Sequence, residues 1–313
     1  MNFSKPSILL PGAFFDRFGR CGLAAAALLF AFRAGAGTNT LDYTQPGTLA
    51  YHLATNAVGH AAGRTGADGD MVEIHALLSI EVNRFLLPSW SQNFWLKEVQ
   101  GLSATPIGFN NMPSGQGLLT MVSPRHYLCA THMHPEGLLA GFLDNNNRLL
   151  WRKTLQRVDV GNDTSVGLLD ADLPPSVGFL PVLPDNYTNY LPVTGARLVQ
   201  GIGMNQNMLL FGQPMNFAGG PIITWNSHDT VPFGLDTNWN VTIRAGDSSN
   251  PGLLLIGNQL VLVSHNYFVG GGPNYASQIP AINRAMHQLS TNNQVGTDYQ
   301  LTQFPLTNWP VIH

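Results

Sequence analysis

Apolar positions recur at helical spacing in two parts of the chain. Between residues 47 and 62 they fall three or four positions apart, and Gly63 follows as a helix stop. The members of this first stripe are Leu49, Ala50, Leu53, Ala54, Ala57, Val58 and Ala61. A second stripe, near the end of the chain, consists of Ile279, Ile282, Met286 and Leu289. The two patterns predict a helix near each end of the folded region.

From about residue 94 onward, short apolar runs alternate with clusters of turn-forming residues. The runs cover residues 117–122, 127–130, 166–169, 197–203, 208–211 and 253–263. This alternation is typical of antiparallel sheets folded as barrels or sandwiches. The 33 glycines and 21 prolines are spread along the chain, as expected when many short strands are joined by tight turns. We therefore predict an all-β fold, with residues 71–87 carrying both helical and strand signals.

Composition predicts a chain with a large core and few ion pairs. Hydrophobic residues make up 44% of the chain and charged residues only 11%. The length of 313 residues allows one large domain or two ordinary ones. The net charge of -3 arises from 15 basic and 18 acidic residues. Because a polyphosphate needs a concentrated positive surface, nucleic acid is not an expected partner.

The N-terminal segment has the pattern of a signal peptide. Arg17 and Arg20 precede an apolar run over residues 21–32, and Ala34-Gly35-Ala36 supplies small residues for cleavage after Ala36. The run is shorter than the ~20 residues that cross a bilayer, so we expect a secreted or periplasmic protein with no stable membrane anchor after cleavage. The remaining chain would keep a single cysteine, Cys129, which cannot form an intrachain disulfide and which we expect to be structural.

Three ordered motifs carry candidate chemistry. The first is Ser123-Pro124-Arg125-His126-Tyr127-Leu128-Cys129-Ala130-Thr131-His132. The second is Asn162-Asp163-Thr164-Ser165-Val166-Gly167-Leu168-Leu169, and the third is Gly246-Asp247-Ser248-Ser249-Asn250-Pro251 before an apolar run. Together, in the order His, Asp, Ser, they resemble the motifs of trypsin-like (chymotrypsin-fold) serine proteases.

The resemblance implies a fold and a domain plan. The expected fold is two six-stranded antiparallel β-barrels of chymotrypsin type, with a short C-terminal helix and an N-terminal mixed extension. The protease domain would span residues 94–289, after a signal peptide over residues 1–36 and an extension or pro-region over residues 37–93. Residues 290–313 would form a C-terminal tail.

The resemblance also implies a secreted serine endopeptidase with Ser248 as nucleophile, His132 as base and Asp163 as the carboxylate that orients the base. A serine hydroxyl becomes nucleophilic when a base removes its proton, and an imidazole with an ordinary pKa near ~6.5 does this at neutral pH. The backbone N–H groups of Gly246 and Ser248 would form the oxyanion hole. The expected substrate is a peptide or protein, and no cofactor or metal is required.

The sequence departs from the family at several positions. Ser249 and Asn250 stand where the family usually has two glycines, and no Ile-Val-Gly-Gly-like segment is present to pair with Asp247. The positions that resemble the substrate pocket are Thr242, Ser264, His265 and Asn266. None of these four is acidic, so a preference for Lys or Arg substrates is not expected.

Alternatives remain open at each site residue. His126 and His134 are alternatives to His132 as the base. The alternatives to Asp163 are Asp159, Asp170 and Asp172, and Ser249 is the alternative nucleophile. A zinc site built from His126, Cys129, His132 and His134 would require a break in the strand, because alternation places Cys129 on the opposite face. The second functional hypothesis is a catalytically inactive protease-fold surface or binding protein, motivated by Ser249 and Asn250.

Overall fold

The computed structural model describes residues 46–61, 96, 99–110, 119–191, 194–202, 208–216, 220–225, 248–268 and 270–312. All of them belong to one unit of the chain, Leu41–His313. The predicted signal peptide and the site residues Thr242, Gly246 and Asp247 lie outside the described residues. The structure is mostly β, with antiparallel sheets of which one curls into a half-barrel.

The first half of the chain forms a six-stranded antiparallel sheet in the order β1-β4-β5-β6-β3-β2. Its strands are β1 (Gly108–Asn110), β2 (Thr120–Met121), β3 (His126–Ala130), β4 (Leu139–Leu143), β5 (Leu149–Gly161) and β6 (Thr164–Leu169). The long strand β5 pairs with β4 through its N-terminal part and with β6 through the remainder. Register shifts along its C-terminal part bend it between these neighbours.

The second half forms another six-stranded antiparallel sheet, in the order β11-β10-β7-β8-β9-β12. Its strands are β7 (Thr194–Ile202), β8 (Met208–Asn216), β9 (Ile222–Trp225), β10 (Pro251–Ile256), β11 (Gln259–His265) and β12 (Gly271–Pro273). The strands β10 and β11 form a hairpin whose turn contains Gly257, at a φ of 59° that glycine adopts readily.

The two sheets share one pattern of strand pairing. In each half the second strand pairs with the third, the third with the sixth, the fourth with the fifth, and the first with the fourth. The first half adds the pair of its fifth and sixth strands, whereas the second half adds the pair of its first and second. When the six strands of each half are numbered in chain order, these pairs all belong to one closed ring, 1-4-5-6-3-2. Within the described part of the chain, each sheet contains five of the six neighbour pairs of that ring.

Side chains of the β10–β11 hairpin alternate between two hydrophobic cores. Leu253 and Leu255 belong to the core that also contains strands of the first sheet. Leu254 and Ile256 belong to a second core with residues near both ends of the chain. Both faces of the hairpin are buried, which explains why the predicted apolar run over residues 253–263 lacks the period of a strand.

Both predicted helices are confirmed. The N-terminal helix α1 (Leu49–Ala61) packs Leu49 and Leu53 into the second core, and Asn56 Nδ2 donates to the carbonyl of Gly257 at 2.9 Å. The C-terminal helix α2 (Ile279–Asn292) buries the stripe that the sequence predicted, against the first core. Neither helix has both the length and the apolar character needed to cross a bilayer.

The segment after α2 is packed rather than loose. Leu301 is buried in the first core and Leu306 in the second. The backbone N–H of Val182 donates to the carbonyl of Thr302 at 2.9 Å, and the N–H of Phe304 donates to the carbonyl of Val182 at 2.8 Å. The chain that we expected to be a tail is therefore part of the folded unit.

Candidate active site

The pairing of β3 with β6 brings His132 and Asp163 together. Ala130, the last residue of β3, lies opposite Thr164, the first residue of β6. One step beyond the strand, the N–H of Thr131 donates to the Asp163 carbonyl at 2.9 Å. Asn162 and Asp163 form the turn between β5 and β6, with φ of 50° and 56°. Asparagine and aspartate tolerate this left-handed backbone, which a two-residue hairpin turn of this type requires.

The side chains of His132 and Asp163 form a close pair. His132 Nδ1 lies 2.8 Å from Asp163 Oδ2 and 3.0 Å from Oδ1, and the His132 backbone N–H donates to Oδ1 at 3.2 Å. A carboxylate accepts only, so Nδ1 carries the proton, and Nε2 is the basic nitrogen of the neutral ring. The His132 side chain is 44% exposed and that of Asp163 only 9%. The His132 imidazole is therefore open to solvent, while the carboxylate bound to it is covered.

A second histidine, His265, stands near the same carboxylate. Its Nε2 lies 3.9 Å from Asp163 Oδ2, which is longer than a hydrogen bond, so the contact is electrostatic. Burial opposes ionisation of the Asp163 carboxyl, but the imidazoles of His265 and His132 outweigh that effect and lower its pKa. Asp163 is thus held as the anion that orientation of His132 requires.

The loop that contains Ser248 is tied to the strand that precedes His132. Ser249 is buried, and its Oγ accepts a hydrogen bond from the N–H of Ala130 at 2.7 Å. The N–H of Ser249 donates to the carbonyl of Asn266 at 3.0 Å. Ser248 itself is half-buried. Because the Ser249 hydroxyl is occupied and covered, Ser248 is the hydroxyl of this pair that remains a candidate nucleophile.

Ser249 has the left-handed backbone that a glycine would have at this point. Its φ is 69°. A residue with a Cβ adopts this conformation at a cost of roughly 1–2 kcal/mol, and the bond to Ala130 offsets part of it. The glycine-like backbone of Ser249 is therefore accommodated locally, by a hydroxyl that binds the Ala130 N–H.

The segment that resembles the pocket wall faces inward. Ser264, His265 and Asn266 are all buried, with at most 2% of each exposed. Ser264 Oγ donates to the carbonyl of His265, and the N–H of Asn266 donates to the carbonyl of Asn250. These residues contact the loop that contains Ser248 and the region behind Asp163, and their side chains are covered.

Two exposed aromatic residues follow that segment and lie beside the candidate base. Tyr267 and Phe268 have 44% and 45% of their surface exposed. The Tyr267 ring centroid lies 6.3 Å from that of His132, and the Phe268 ring packs edge-on against Tyr267 at 5.6 Å. An aromatic surface therefore flanks His132, and sequence analysis did not identify it.

The competing acids have other partners. Asp159 accepts a hydrogen bond from the Ser165 hydroxyl, and Asp170 accepts from a backbone N–H of β5. Asp172 forms an ion pair with Arg125 at 3.6 Å. Each of the three carboxyls thus contacts a group other than a histidine, which leaves the acid of the second motif beside the candidate base.

The histidines and the cysteine of the zinc hypothesis do not converge. Their partners are Ser123 and Ser290 for His126, Asp163 for His132, and Arg157 for His134. The Cys129 thiol is buried, and burial raises its pKa to about 12. Across the ranges that the structure describes, no group of three or more His, Cys, Asp or Glu side chains is arranged to hold a metal ion.

Arg157 supports the turn that carries His132. This guanidinium, on β5, donates to the carbonyl of Thr131 and to the carboxylate of Glu136, and reaches the Ser165 hydroxyl at 3.2 Å. Its side chain is only 10% exposed. Burial opposes its charge, but the hydrogen bond and the charge of Glu136 raise its pKa. A charged strand residue thus fixes the backbone next to the candidate base, although no motif pointed to it.

No protein-family model matches the chain, and no curated protein sequence matches it.

Proposed function

We propose that the chain is a secreted trypsin-like serine endopeptidase that hydrolyses peptide bonds through Ser248, His132 and Asp163. The observation that carries the proposal is the pair in which Asp163 binds Nδ1 of His132, because it leaves Nε2 as the basic nitrogen of an exposed ring. The bond from Ala130 to Ser249 supports it further, since it ties the Ser248 loop to the strand before His132.

The strand pairing supports the finer fold proposal of two antiparallel barrels of chymotrypsin type. Each half of the chain has five neighbour pairs of the same six-strand ring, opened at a different place. A duplicated ring is the arrangement expected of two like barrels. The residues of the proposed site come from both halves, with His132 and Asp163 in the first and Ser248 in the second.

The proposed reaction is acyl transfer to water. Ser248 Oγ attacks the peptide carbonyl while His132 Nε2 takes its proton, and Asp163 stabilises the imidazolium that forms. The backbone N–H groups of Gly246 and Ser248 hold the oxyanion. His132 then gives the proton to the leaving amine, and water repeats the sequence on the acyl-enzyme.

The proposed substrates carry large apolar side chains. Tyr267 presents an exposed ring next to His132, and the exposed ring of Phe268 packs against Tyr267. Apolar substrate groups bind such surfaces because they are removed from water. The segment after β11 carries no acidic side chain through residue 268, which fits the expectation that Lys and Arg are not preferred.

Hydrolysis of a diverse peptide library tests the proposal. We expect the wild-type protein to cleave library members, and Ser248→Ala to lower kcat/KM by a factor on the order of 10⁴ or more. Ser277→Ala, at an exposed serine, is the matched control and should retain activity. A folded wild-type protein without hydrolysis would favour the catalytically inactive binding protein.

A further inference from the structure

A buried imidazole lies behind the candidate dyad and has no part in the proposed proton transfer. His265 is the last residue of β11, and only 1% of it is exposed. Its Nδ1 is hydrogen-bonded to the hydroxyl of Tyr275, which is also 1% exposed. Its Nε2 lies 3.9 Å from Asp163 Oδ2 and has no hydrogen-bond partner among the described residues.

The Tyr275 hydroxyl determines which nitrogen of His265 carries the proton. Burial raises the pKa of Tyr275 well above its ordinary value, so the phenol keeps its proton. A protonated phenol can donate to Nδ1 or accept from it, and donation is the arrangement that keeps the Nε2 lone pair from facing the Asp163 carboxylate. Burial also lowers the pKa of His265, so the ring is neutral. A neutral ring that accepts at Nδ1 carries its proton on Nε2. The opposite tautomer would direct the Nε2 lone pair at the Asp163 carboxylate.

We propose that His265 is a positioning residue that directs its Nε2–H at Asp163 and thereby holds this carboxylate in place for His132. Asp163 then stands between two imidazole N–H groups, one of which is closely bound and one of which acts at longer range. The activity measurements below rest on the proposed function, whereas the contact between His265 and Asp163 does not depend on it. The titratable groups that face His265 are Asp163, His132 and Tyr275, with Cys129 near Tyr275.

The backbone of His265 lies close to a glycine of a nearby strand. A Cβ added to Gly272, on the neighbouring strand β12, would lie 1.7 Å from the His265 carbonyl oxygen. Only a glycine allows the two strands to approach this closely. The His265 backbone is thus held close to β12, while the hydrogen bond between Nδ1 and the Tyr275 hydroxyl fixes the direction of the ring.

Three variants of the full chain separate positioning from packing. His265→Leu keeps an apolar group of similar bulk and removes both nitrogens. His265→Gln keeps an N–H donor near the Nε2 position, and Tyr275→Phe removes only the hydroxyl that selects the tautomer. The readouts are the proton NMR resonance of His132 Nδ1–H and the pH profile of kcat/KM.

We expect His265→Leu and Tyr275→Phe to shift the His132 Nδ1–H resonance and to move the acid limb of kcat/KM to higher pH, on the order of one pH unit for Leu. The shift is upward because an Asp163 charge without the His265 dipole attracts protons more strongly. KM should change little, kcat should fall on the order of tenfold, and His265→Gln should restore both readouts toward wild type.

An unchanged resonance and pH profile in folded His265→Leu would overturn the proposal and make His265 a packing residue. If His265→Leu fails to fold, the contrast between His265→Gln and Tyr275→Phe decides in the same way. If the wild type proves inactive, the proposed function fails, and the NMR resonance alone still tests whether His265 positions the dyad.

Discussion

Ser249 Oγ lies 2.7 Å from the backbone nitrogen of Ala130, and the two residues are 119 positions apart in the chain. Ala130 ends a strand of the first sheet, and Ser249 precedes the first strand of the hairpin in the second. This one hydrogen bond joins the segment that carries His132 to the loop that carries Ser248. The relative position of base and candidate nucleophile thus depends on a residue that is not itself proposed to react.

Replacement of Ser249 tests this connection. Ser249→Ala leaves a buried N–H on Ala130 without its partner and retains the left-handed backbone, so we expect a loss of about 1–3 kcal/mol in the free energy of unfolding. Ser249→Gly loses the same bond but relieves roughly 1–2 kcal/mol of backbone strain, so it should be the more stable variant. Chemical denaturation measures both. Equal stability of Ser249→Ala and wild type would show that the bond contributes nothing.

Replacement of Asp163 tests the orientation of the base. Asp163→Asn presents an amide donor to Nδ1 and favours the wrong tautomer of His132, so kcat should fall on the order of 10⁴-fold. Asp159→Asn is the matched control on the same hairpin, since Asp159 contacts Ser165 and Arg157 instead of a histidine. Equal losses in the two variants would contradict the assignment of Asp163.

Stability should depend on pH through His126. This ring is wholly buried between Ser123 and Ser290, and burial lowers its pKa to about 4. The unfolded chain therefore binds a proton between pH ~6.5 and 4 that the folded chain does not. The contribution of the neutral His126 ring to the free energy of unfolding is fully present above pH ~6.5. About 3 kcal/mol of it is lost as the pH falls from there to 4.

Denaturation at several pH values measures this loss. His126→Gln should flatten the dependence between pH ~6.5 and 4, because no proton then distinguishes the two states at this position. A wild-type curve that stays level across the range would contradict the role of His126.

The aromatic surface should determine substrate preference. Tyr267→Ala removes the exposed ring beside His132 and Phe268→Ala the ring packed against Tyr267, so KM for substrates with large apolar side chains should rise on the order of tenfold. Substrates with small side chains should be little affected. Phe179→Ala is the control, because Phe179 is similarly exposed but lines a different groove with Leu173 and Pro181. Equal effects on large and small substrates would argue against a binding role.

The sequence predicted those elements whose patterns depend on a single buried face. Both helices were predicted because one side of each is apolar, as Ile282 and Met286 illustrate. The β10–β11 hairpin was predicted as one run, although the two-residue turn Gly257-Asn258 lies within it, because its two faces enter different cores and neither gives a polar alternation. The long strand β5 was missed because nearly all of its side chains are at least partly exposed, with Thr154 the buried exception.

The candidate site was predictable only as far as local motifs extend. His132 and Asp163 were identified from motif order, and the structure brings them together. The contacts that surround them join residues far apart in sequence, such as Arg157 with Thr131 and His265 with Asp163. Strand pairing creates these contacts, and no local pattern encodes which side chains will meet across two sheets.

Covalent labelling of the purified protein with a fluorophosphonate tests the central claim most directly. This reagent captures a serine that an adjacent base has activated, so intact mass should increase by one adduct and peptide mapping should locate it on Ser248. Ser248→Ala should remain unlabelled, His132→Ala should react far more slowly, and His134→Ala should react like wild type. A folded wild-type protein that stays unlabelled, or that carries the adduct on another residue, would contradict the account.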